Sequence, residues 1–155
     1  MSLLLQVSDP HFGTERPEVV EALVALAQAH RPDVLVLSGD ITQRARRAQF
    51  MAAARFCDRL GIGVRLVLPG NHDIPLFDVA TRLLSPYRLF RAYFGDDFAP
   101  VVDRPGLLLL GVNTTRRLRH KDGEVSARQI ADVAARLRAA APGQLRVVVT
   151  HQPVD

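Results

Sequence analysis

The sequence predicts an α/β protein in which strands and helices alternate along the chain. Five short apolar runs rich in Leu and Val have the length of buried strands, and helical patterns separate most of them. This alternation predicts a largely parallel sheet with covering helices. The length of 155 residues, with 48% hydrophobic and 23% charged, fits one globular domain spanning residues 1–155. The predicted strands are Leu3 to Ser8, Asp33 to Ser38, Val64 to Leu68, Leu107 to Val112 and Leu145 to Thr150.

Caps and apolar stripes predict three helices between these strands. The first runs from Pro17 to His30, because Pro suits the first helical turn and a wide apolar stripe follows it. The second runs from Arg44 to Leu60 and is closed by a glycine. The third begins at Ser126, whose side chain caps the helix while Gln129 reaches back. Residues 75–105 are the least regular and hold most of the aromatics, so we expect a helical insertion that covers the functional site.

Composition excludes several classes of site without naming a function. The net charge of +4 comes from arginine, since Lys121 is the only lysine; the surplus either attracts phosphate-bearing ligands or reflects coding bias. Cys57 stands alone, which excludes an internal disulfide and a cysteine-ligated zinc site. No apolar stretch reaches the roughly 18 residues that span a bilayer, and no signal peptide is recognisable. We therefore expect a cytoplasmic protein with no membrane partner; oligomeric state has no signal in the sequence.

Polar residues that can bind metal or phosphate follow every predicted strand. Ligands of α/β proteins bind at the loops that leave the carboxyl ends of strands, so these positions are predicted to converge. In chain order they are Asp9 and His11; Gly39 and Asp40; Gly70, Asn71, His72 and Asp73; Asn113, Thr114 and Thr115; and His151.

The types of these side chains favour a pair of transition metals. Imidazole, carboxylate and amide ligands suit Mn, Fe or Zn, and one carboxylate can bridge two ions about 3.5–4 Å apart, the arrangement that promotes displacement at phosphorus. Taken singly each residue has a structural alternative: Asp9 and Asp40 as helix caps or turn residues, His11 and His151 as surface histidines, Asn71 as a turn residue. Their joint occurrence at several strand exits favours the metal site.

Four motifs resemble those of the calcineurin-like metallophosphoesterases over the whole chain. They are S-D-P-H at Ser8 to His11, G-D at Gly39-Asp40, G-N-H-D at Gly70 to Asp73, and H-Q-P at His151 to Pro153. Within that family the chain looks most like the bacterial class III cyclic nucleotide phosphodiesterases, through Thr42 and the segment Asp122 to Ser126. The resemblance implies an αββα sandwich, represented here mainly by the first sheet and its helices.

The resemblance also implies a role for each residue in hydrolysing a small phosphodiester. Asp9 and His11 would bind one metal ion, Asp40 would bridge, and Asn71 and His151 would bind the other ion. A metal-bridging hydroxide would attack phosphorus. His72, oriented by Asp73, would contact the phosphate and help the leaving oxygen depart. Asn71, His72 and Asn113 would contact the substrate.

The sequence departs from the family pattern at its end. The family supplies two further histidines from a later G-H-x-H motif, which does not occur before Asp155. We therefore expect a fragment that binds metal weakly, turns over poorly and lacks most of the second sheet.

Three alternative functions remain. A DNA exonuclease of the same family, with nucleic acid as partner, is disfavoured because such enzymes carry an acidic residue where Thr42 stands. Lipid-precursor pyrophosphatases tend to have Arg at the position of His72. A scaffold without catalysis normally loses several ligands, and this chain keeps them. The basic segment 116–121 either lines the pocket, in which case Arg116 and Arg117 attract substrate phosphate, or is a solvated loop.

Overall fold

The computed structural model describes residues 2–119 and 122–153, so His120 and Lys121 of the basic segment lie outside the described residues. Helices and strands alternate as the sequence predicts, which confirms the α/β class. No helix in the described ranges is long and apolar enough to cross a bilayer. The strands are β1 (Leu4–Val7), β2 (Val34–Ser38), β3 (Val64–Leu68), β4 (Val101–Arg104), β5 (Leu107–Val112) and β6 (Leu145–Thr150); the helices are α1 (Pro17–His30), α2 (Arg47–Arg59), α3 (Val79–Leu84), α4 (Arg88–Phe94) and α5 (Ala127–Ala139).

The strands form two sheets of three. In the first sheet β1, β2 and β3 are parallel, with β2 in the centre. In the second, β5 pairs with β4 antiparallel and with β6 parallel. The sequence missed β4, because its alternating Val101 to Arg104 segment is short and sits inside the aromatic insertion. The second sheet is therefore more complete than the sequence predicts.

The two faces of the first sheet are covered by different layers. Leu35 and Leu37 of β2 belong to a core shared with α1, α2 and α4. Val34 and Val36, which point the other way, belong to a core shared with Leu109 and its neighbours in the second sheet. Helix α5 lies on the far side of the second sheet, where it forms a groove with β5. The order helices, sheet, sheet, helix is the expected αββα sandwich.

Two local features correct the predicted boundaries. Helix α2 begins at Arg47 rather than Arg44, because Ala45 adopts a left-handed conformation with φ of 49°. The Gln49 side chain accepts hydrogen bonds from the backbone N–H groups of Arg44 and Arg46, and so holds this turn. Helix α5 begins after Ser126 with the predicted reciprocal cap to Gln129.

The insertion between β3 and β5 is helical, but it contributes to the core. Phe90 of α4 is 1% exposed and contacts Phe94 and Phe98. Phe50 of α2 packs against Tyr93 and Phe94 of α4. The aromatic residues of the insertion thus extend the layer of α1 and α2.

Candidate metal centre

The first metal-ligand loops are brought together by the parallel first sheet. Because β1 and β2 end side by side, their exit loops pair: Asp9 N–H donates to the Gly39 carbonyl at 3.2 Å, and His11 N–H donates to the Asp40 carbonyl at 3.1 Å. Phe12 and Thr42 extend the pairing as an isolated parallel bridge. The loop after β1 is therefore fixed against the loop after β2.

Asp40 lies at the centre of the convergent side chains, with its two carboxylate oxygens facing different groups. Its Oδ2 lies 3.7 Å from His11 Nε2 and 4.0 Å from His72 Nε2. Its Oδ1 lies 3.2 Å from His151 Nε2, which in turn lies 3.3 Å from Asn71 Oδ1. A carboxylate placed in this way can bridge two cations.

Two groups of ligand atoms therefore share Asp40. One consists of His11, Asp40 and His72, and the other of Asp9, Asp40 and His151, each with its atoms within 4.8 Å of one another. This grouping differs from the predicted one in two respects: Asp9 lies with His151, and His72 lies among potential ligands although the sequence assigned it to the phosphate. The individual assignments of Asp9, His11, Asn71 and His151 remain predictions.

The ring of His151 is held in the tautomer that a metal ligand needs. Its Nδ1 lies 2.9 Å from the Ser38 carbonyl, which can only accept, so Nδ1 carries the proton. Nε2 is therefore the ring atom that faces Asp40 and Asn71; it donates to Asp40 when the ring is protonated, and its lone pair would be available to a metal once that proton has left. A backbone carbonyl behind a histidine is the usual outer support of a metal-binding imidazole.

Backbone contacts orient the ring of His72 in the same way. Its Nδ1 lies 3.0 Å from the Gln43 carbonyl, so Nδ1 donates and Nε2 faces the Asp40 carboxylate. The His72 backbone N–H donates to Asp40 Oδ1 at 2.9 Å. The side chain is 23% exposed.

Two glycines let the loops approach closely enough to form the centre. A Cβ on Gly39 would lie 2.4 Å from the His151 ring, and one on Gly70 would lie 2.0 Å from Asp40 N and 2.2 Å from its Oδ1. Real Cβ atoms do not make such contacts. The glycines of the G-D and G-N-H-D motifs thus serve the packing of the ligands.

Backbone strain is concentrated at the same loops. Asp9, His11 and Asp40 have φ values of 53°, 45° and 47°, in the left-handed region that non-glycine residues seldom occupy. Strained conformations cost roughly 1–3 kcal/mol each and cluster at functional sites. Three of the predicted ligands share this property.

The electrostatic environment keeps Asp40 ionised. Burial works against its charge, but hydrogen bonds from the His151 ring and the His72 N–H outweigh burial and hold the pKa of Asp40 below its usual value. Burial also lowers the pKa of His151, and the Asp40 carboxylate outweighs it, so that the pKa is raised. Asp40 and His151 thus form a pair of opposite charges, and a metal ion would take the place of the His151 proton beside the Asp40 carboxylate.

Asp73 makes backbone contacts that the sequence did not predict. Its buried carboxylate accepts hydrogen bonds from Ile41 N and Gly70 N at Oδ2, and from Thr42 N and Oγ1 at Oδ1, at 2.8–3.0 Å. It therefore fastens the loop after β3 to the loop after β2. The carbonyl of Gln43 contacts the Nδ1 atom of the His72 ring at 3.0 Å. An effect of Asp73 on His72 through these loops remains a prediction.

Asn113 and Arg116 hold the loop after β5. Asn113 Oδ1 accepts from Thr115 N–H and Oγ1, at 2.9 and 2.6 Å. The guanidinium of Arg116 contacts Glu124, Gln129 and the carbonyls of Asn113 and Thr115. Arg116 is thus neither a solvated side chain nor one free to attract substrate, and substrate binding by Asn113 remains a prediction.

Sequence reasoning missed Gln43 as the support of His72, because a backbone carbonyl leaves no trace in the residue type. Thr42 was noted only as a family feature. The Thr42 hydroxyl donates to the buried Asp73 carboxylate, and a hydroxyl residue so close to the G-D pair could have predicted such a contact.

The described donors fit a pair of metal ions. The Nδ1 of His11 is buried and has no hydrogen-bond partner within residues 2–119 and 122–153. Three imidazole nitrogens lie 3.2–4.0 Å from the Asp40 carboxylate oxygens, and ligand atoms around one cation have a similar spacing. Imidazole, carboxylate and amide together suit Mn, Fe or Zn.

Comparison with known proteins agrees with this geometry. Residues 3–155 match the family described as calcineurin-like phosphoesterase. Among solved structures, the fold is similar to that of a dimetal phosphatase from Danio rerio, with a TM-score of 0.67 and 15% sequence identity. That similarity covers 99% of this chain and 70% of the phosphatase chain. No curated protein matches the sequence significantly.

Proposed function

Since the chain belongs to the calcineurin-like phosphoesterase family, we propose that it hydrolyses a small phosphodiester, such as a cyclic nucleotide, with two bound metal ions. The single observation that carries the proposal is the placement of Asp40. Its oxygens face His11 and His72 on one side, and His151 on the other. A site for a single metal ion would not need potential ligands on both sides of the Asp40 carboxylate.

Asp9, His11, Asp40, Asn71 and His151 would hold the metals, of which Mn, Fe and Zn suit these ligands. When bound, such a pair of ions supplies Lewis acidity and lowers the pKa of water, so that a strong nucleophile exists at neutral pH. The protein's part is to keep the donors in place, through the paired loops and the carbonyl behind the His151 ring.

His72 would bind the phosphate and deliver a proton to the leaving oxygen. The Gln43 carbonyl keeps the Nδ1 proton in place, so the proton that is exchanged lies on Nε2. That atom faces the cleft beside Asp40. An alkoxide leaving group is a strong base, and its protonation lowers the barrier to cleavage of the ester bond.

The choice of a diester is supported by the resemblance of the segments around Thr42 and from Asp122 to Ser126 to class III cyclic nucleotide phosphodiesterases. A nuclease is the alternative within the same chemistry. At the position where the nucleases carry an acidic residue, this chain has Thr42, whose hydroxyl and N–H both donate to Asp73. This difference supports the diesterase over the nuclease.

The test is a metal-binding and activity panel. The metal-depleted chain is loaded with Mn²⁺, Fe²⁺ or Zn²⁺, and the bound metal is measured by elemental analysis. Cyclic nucleotides, bis(p-nitrophenyl) phosphate and single-stranded DNA are then compared as substrates. We expect two ions per chain and turnover of the small diesters. Preferential turnover of DNA would establish the nuclease instead.

Asp40→Ala should abolish turnover and lower the bound metal, whereas Asp103→Ala, on the exposed strand β4, should change neither. Turnover retained by Asp40→Ala would exclude the two-metal mechanism. Metal binding without turnover of any substrate would support a scaffold.

A further inference from the structure

A basic cavity lies next to the metal centre and has no assigned role. It has a volume of about 280 Å³ and is lined by the segment before α2 and by the insertion. Its lining includes Arg44 and Arg46 from the first and Phe77, Asp78 and Arg88 from the second. The volume is near the lower limit of small-molecule sites.

The charge of the lining is positive where a ligand would make contact. Arg44, Arg46 and Arg88 have no salt bridge to an acidic side chain within the part of the chain that the structure describes. The Asp78 carboxylate is occupied, since it accepts hydrogen bonds from Thr81 N–H and Oγ1 as the cap of α3. The Arg44 and Arg46 guanidinium groups therefore remain available for an anion, whereas Asp78 offsets part of the positive charge of Arg88.

Arg44 is held at the rim by an aromatic ring. Its guanidinium lies 5.9 Å from the centroid of Phe77, which is 80% exposed and makes a cation–π contact with it. The backbone N–H of Arg44 donates to Gln49, so the turn is fixed independently of its side chain. The Arg44 side chain is thus positioned without an ion pair to a carboxylate.

The cavity is within reach of the same small substrate as the metal centre. The Gln43 carbonyl lies 3.0 Å from the His72 ring, and Arg44 is the next residue, one Cα step of about 3.8 Å away. Asp73, which fastens the ligand loops, also lines the cavity. The cavity therefore adjoins the loops that hold the His72 ring, through Arg44 and Asp73.

We propose that this cavity is a second anion-binding subsite, which selects phosphodiesters that carry a further phosphate or carboxylate group. The inference rests on the proposed function for the first phosphate, which binds at the metal centre. The second anion binds Arg44, from the segment before α2, and Arg88, from the insertion. Guanidinium groups recognise phosphate and carboxylate through paired N–H donors.

The test uses binding rather than turnover, so that it is independent of the hydrolysis. Thymidine 3′,5′-bisphosphate and thymidine 5′-monophosphate differ only in one phosphate, and their dissociation constants are measured by calorimetry on the Mn-loaded chain. We expect the bisphosphate to bind about tenfold more tightly, the factor that one charge-assisted hydrogen bond supplies. Equal affinities in the wild type would overturn the subsite.

Arg44→Gln and Arg88→Gln should each remove most of this preference while leaving the affinity for the monophosphate nearly unchanged. Arg128→Gln on α5 is the matched control, because it removes the same charge from a side chain that is 91% exposed. A preference retained by Arg44→Gln, or lost equally in Arg128→Gln, would contradict the proposal. Turnover of thymidine 5′-p-nitrophenyl phosphate tests the proposed function separately.

Discussion

Gly70 lies where the loops after β2 and β3 touch, and its effect can be separated from that of backbone strain. Its φ is not in the left-handed region, so a substitution there is resisted by contact alone. We predict that Gly70→Ala displaces Asp40, lowers the melting temperature and weakens Mn²⁺ binding at least tenfold, because two ligand loops must move apart. Calorimetry and thermal unfolding measure both effects.

Gly63→Ala is the control for this prediction. Gly63 also lacks a left-handed φ, and a Cβ there would meet no atom within 4 Å. It should leave Mn²⁺ affinity unchanged. If the two variants bind Mn²⁺ equally, close packing at Gly70 is not what positions Asp40.

Replacing Asp73 should mainly lower the stability of the fold, and it should affect activity only through the loops that Asp73 joins. Asn in its place would turn an NH₂ group toward two of the four donors from Ile41, Thr42 and Gly70. We predict a loss of roughly 2–4 kcal/mol in the free energy of unfolding, since buried donors left unpaired cost about 1–3 kcal/mol each. Chemical denaturation of the metal-free chain gives this value; Asp132→Asn on the exposed face of α5 should change it little.

The same carboxyl gives a pH dependence whose direction follows from its pKa. Burial raises the pKa of Asp73 from 3.8 to about 6, although its hydrogen bonds oppose the shift. Between pH 3.8 and about 6 the folded protein therefore holds a proton there that the unfolded chain has released. This stabilisation is complete below pH 3.8 and lost as the pH rises through about 6. The stability difference between wild type and Asp73→Asn should shrink between about pH 4 and 7. A constant difference would contradict the raised pKa.

At the scale of elements, the insertion provides a pair of phenylalanines with opposite environments. Phe90 is 1% exposed in the core with Phe94 and Phe98, whereas Phe77 is 80% exposed at the rim of the basic cavity. We predict that Phe90→Ala lowers the free energy of unfolding by about 3–5 kcal/mol, because it leaves a cavity between α4 and α2. Phe77→Ala should lower it by less than about 0.5 kcal/mol. Equal losses of unfolding free energy in the two variants would show that α4 does not pack as part of the core.

The elements differ in how far the sequence could predict them. Pro17, Ser126 and Gln129 mark helix ends through local hydrogen bonding and fixed φ, so α1 and the start of α5 were predicted correctly. The start of α2 was wrong because the turn at Ala45 depends on a side chain of the helix itself, Gln49. Strand β4 was missed because it has only four residues and lies inside the aromatic insertion, although its pairing with β5 is a local hairpin.

At the scale of the molecule, the sequence predicted which loops converge but not how the strands divide between sheets. Convergence followed from the order of strands and from polar residues at their carboxyl ends, as at Asp40 and His151. The division into two sheets depends on which face of β2 packs on helices and which on β5, and a fully apolar strand carries no alternation to reveal it. The same limit applies to Gln43, because the tertiary fold, and not the residue type, brings its backbone carbonyl to the His72 ring.

Metal binding should stabilise the whole molecule, because the predicted ligands come from both ends of the chain. Asp9 and Asp40 belong to the first sheet, and His151 follows β6 of the second, so an ion bound between them joins the two sheets. A ligand that binds only the folded state adds about 2.7 kcal/mol at a concentration 100-fold above its dissociation constant. For a domain of this size we expect a rise of roughly 5–10 °C in Tm with Mn²⁺. Asp40→Asn, which removes the shared ligand, should lose most of this rise, whereas Asp103→Asn should keep it. Since a cation bound only to surface carboxylates would stabilise both variants alike, equal rises would show that the ion does not bind between the sheets.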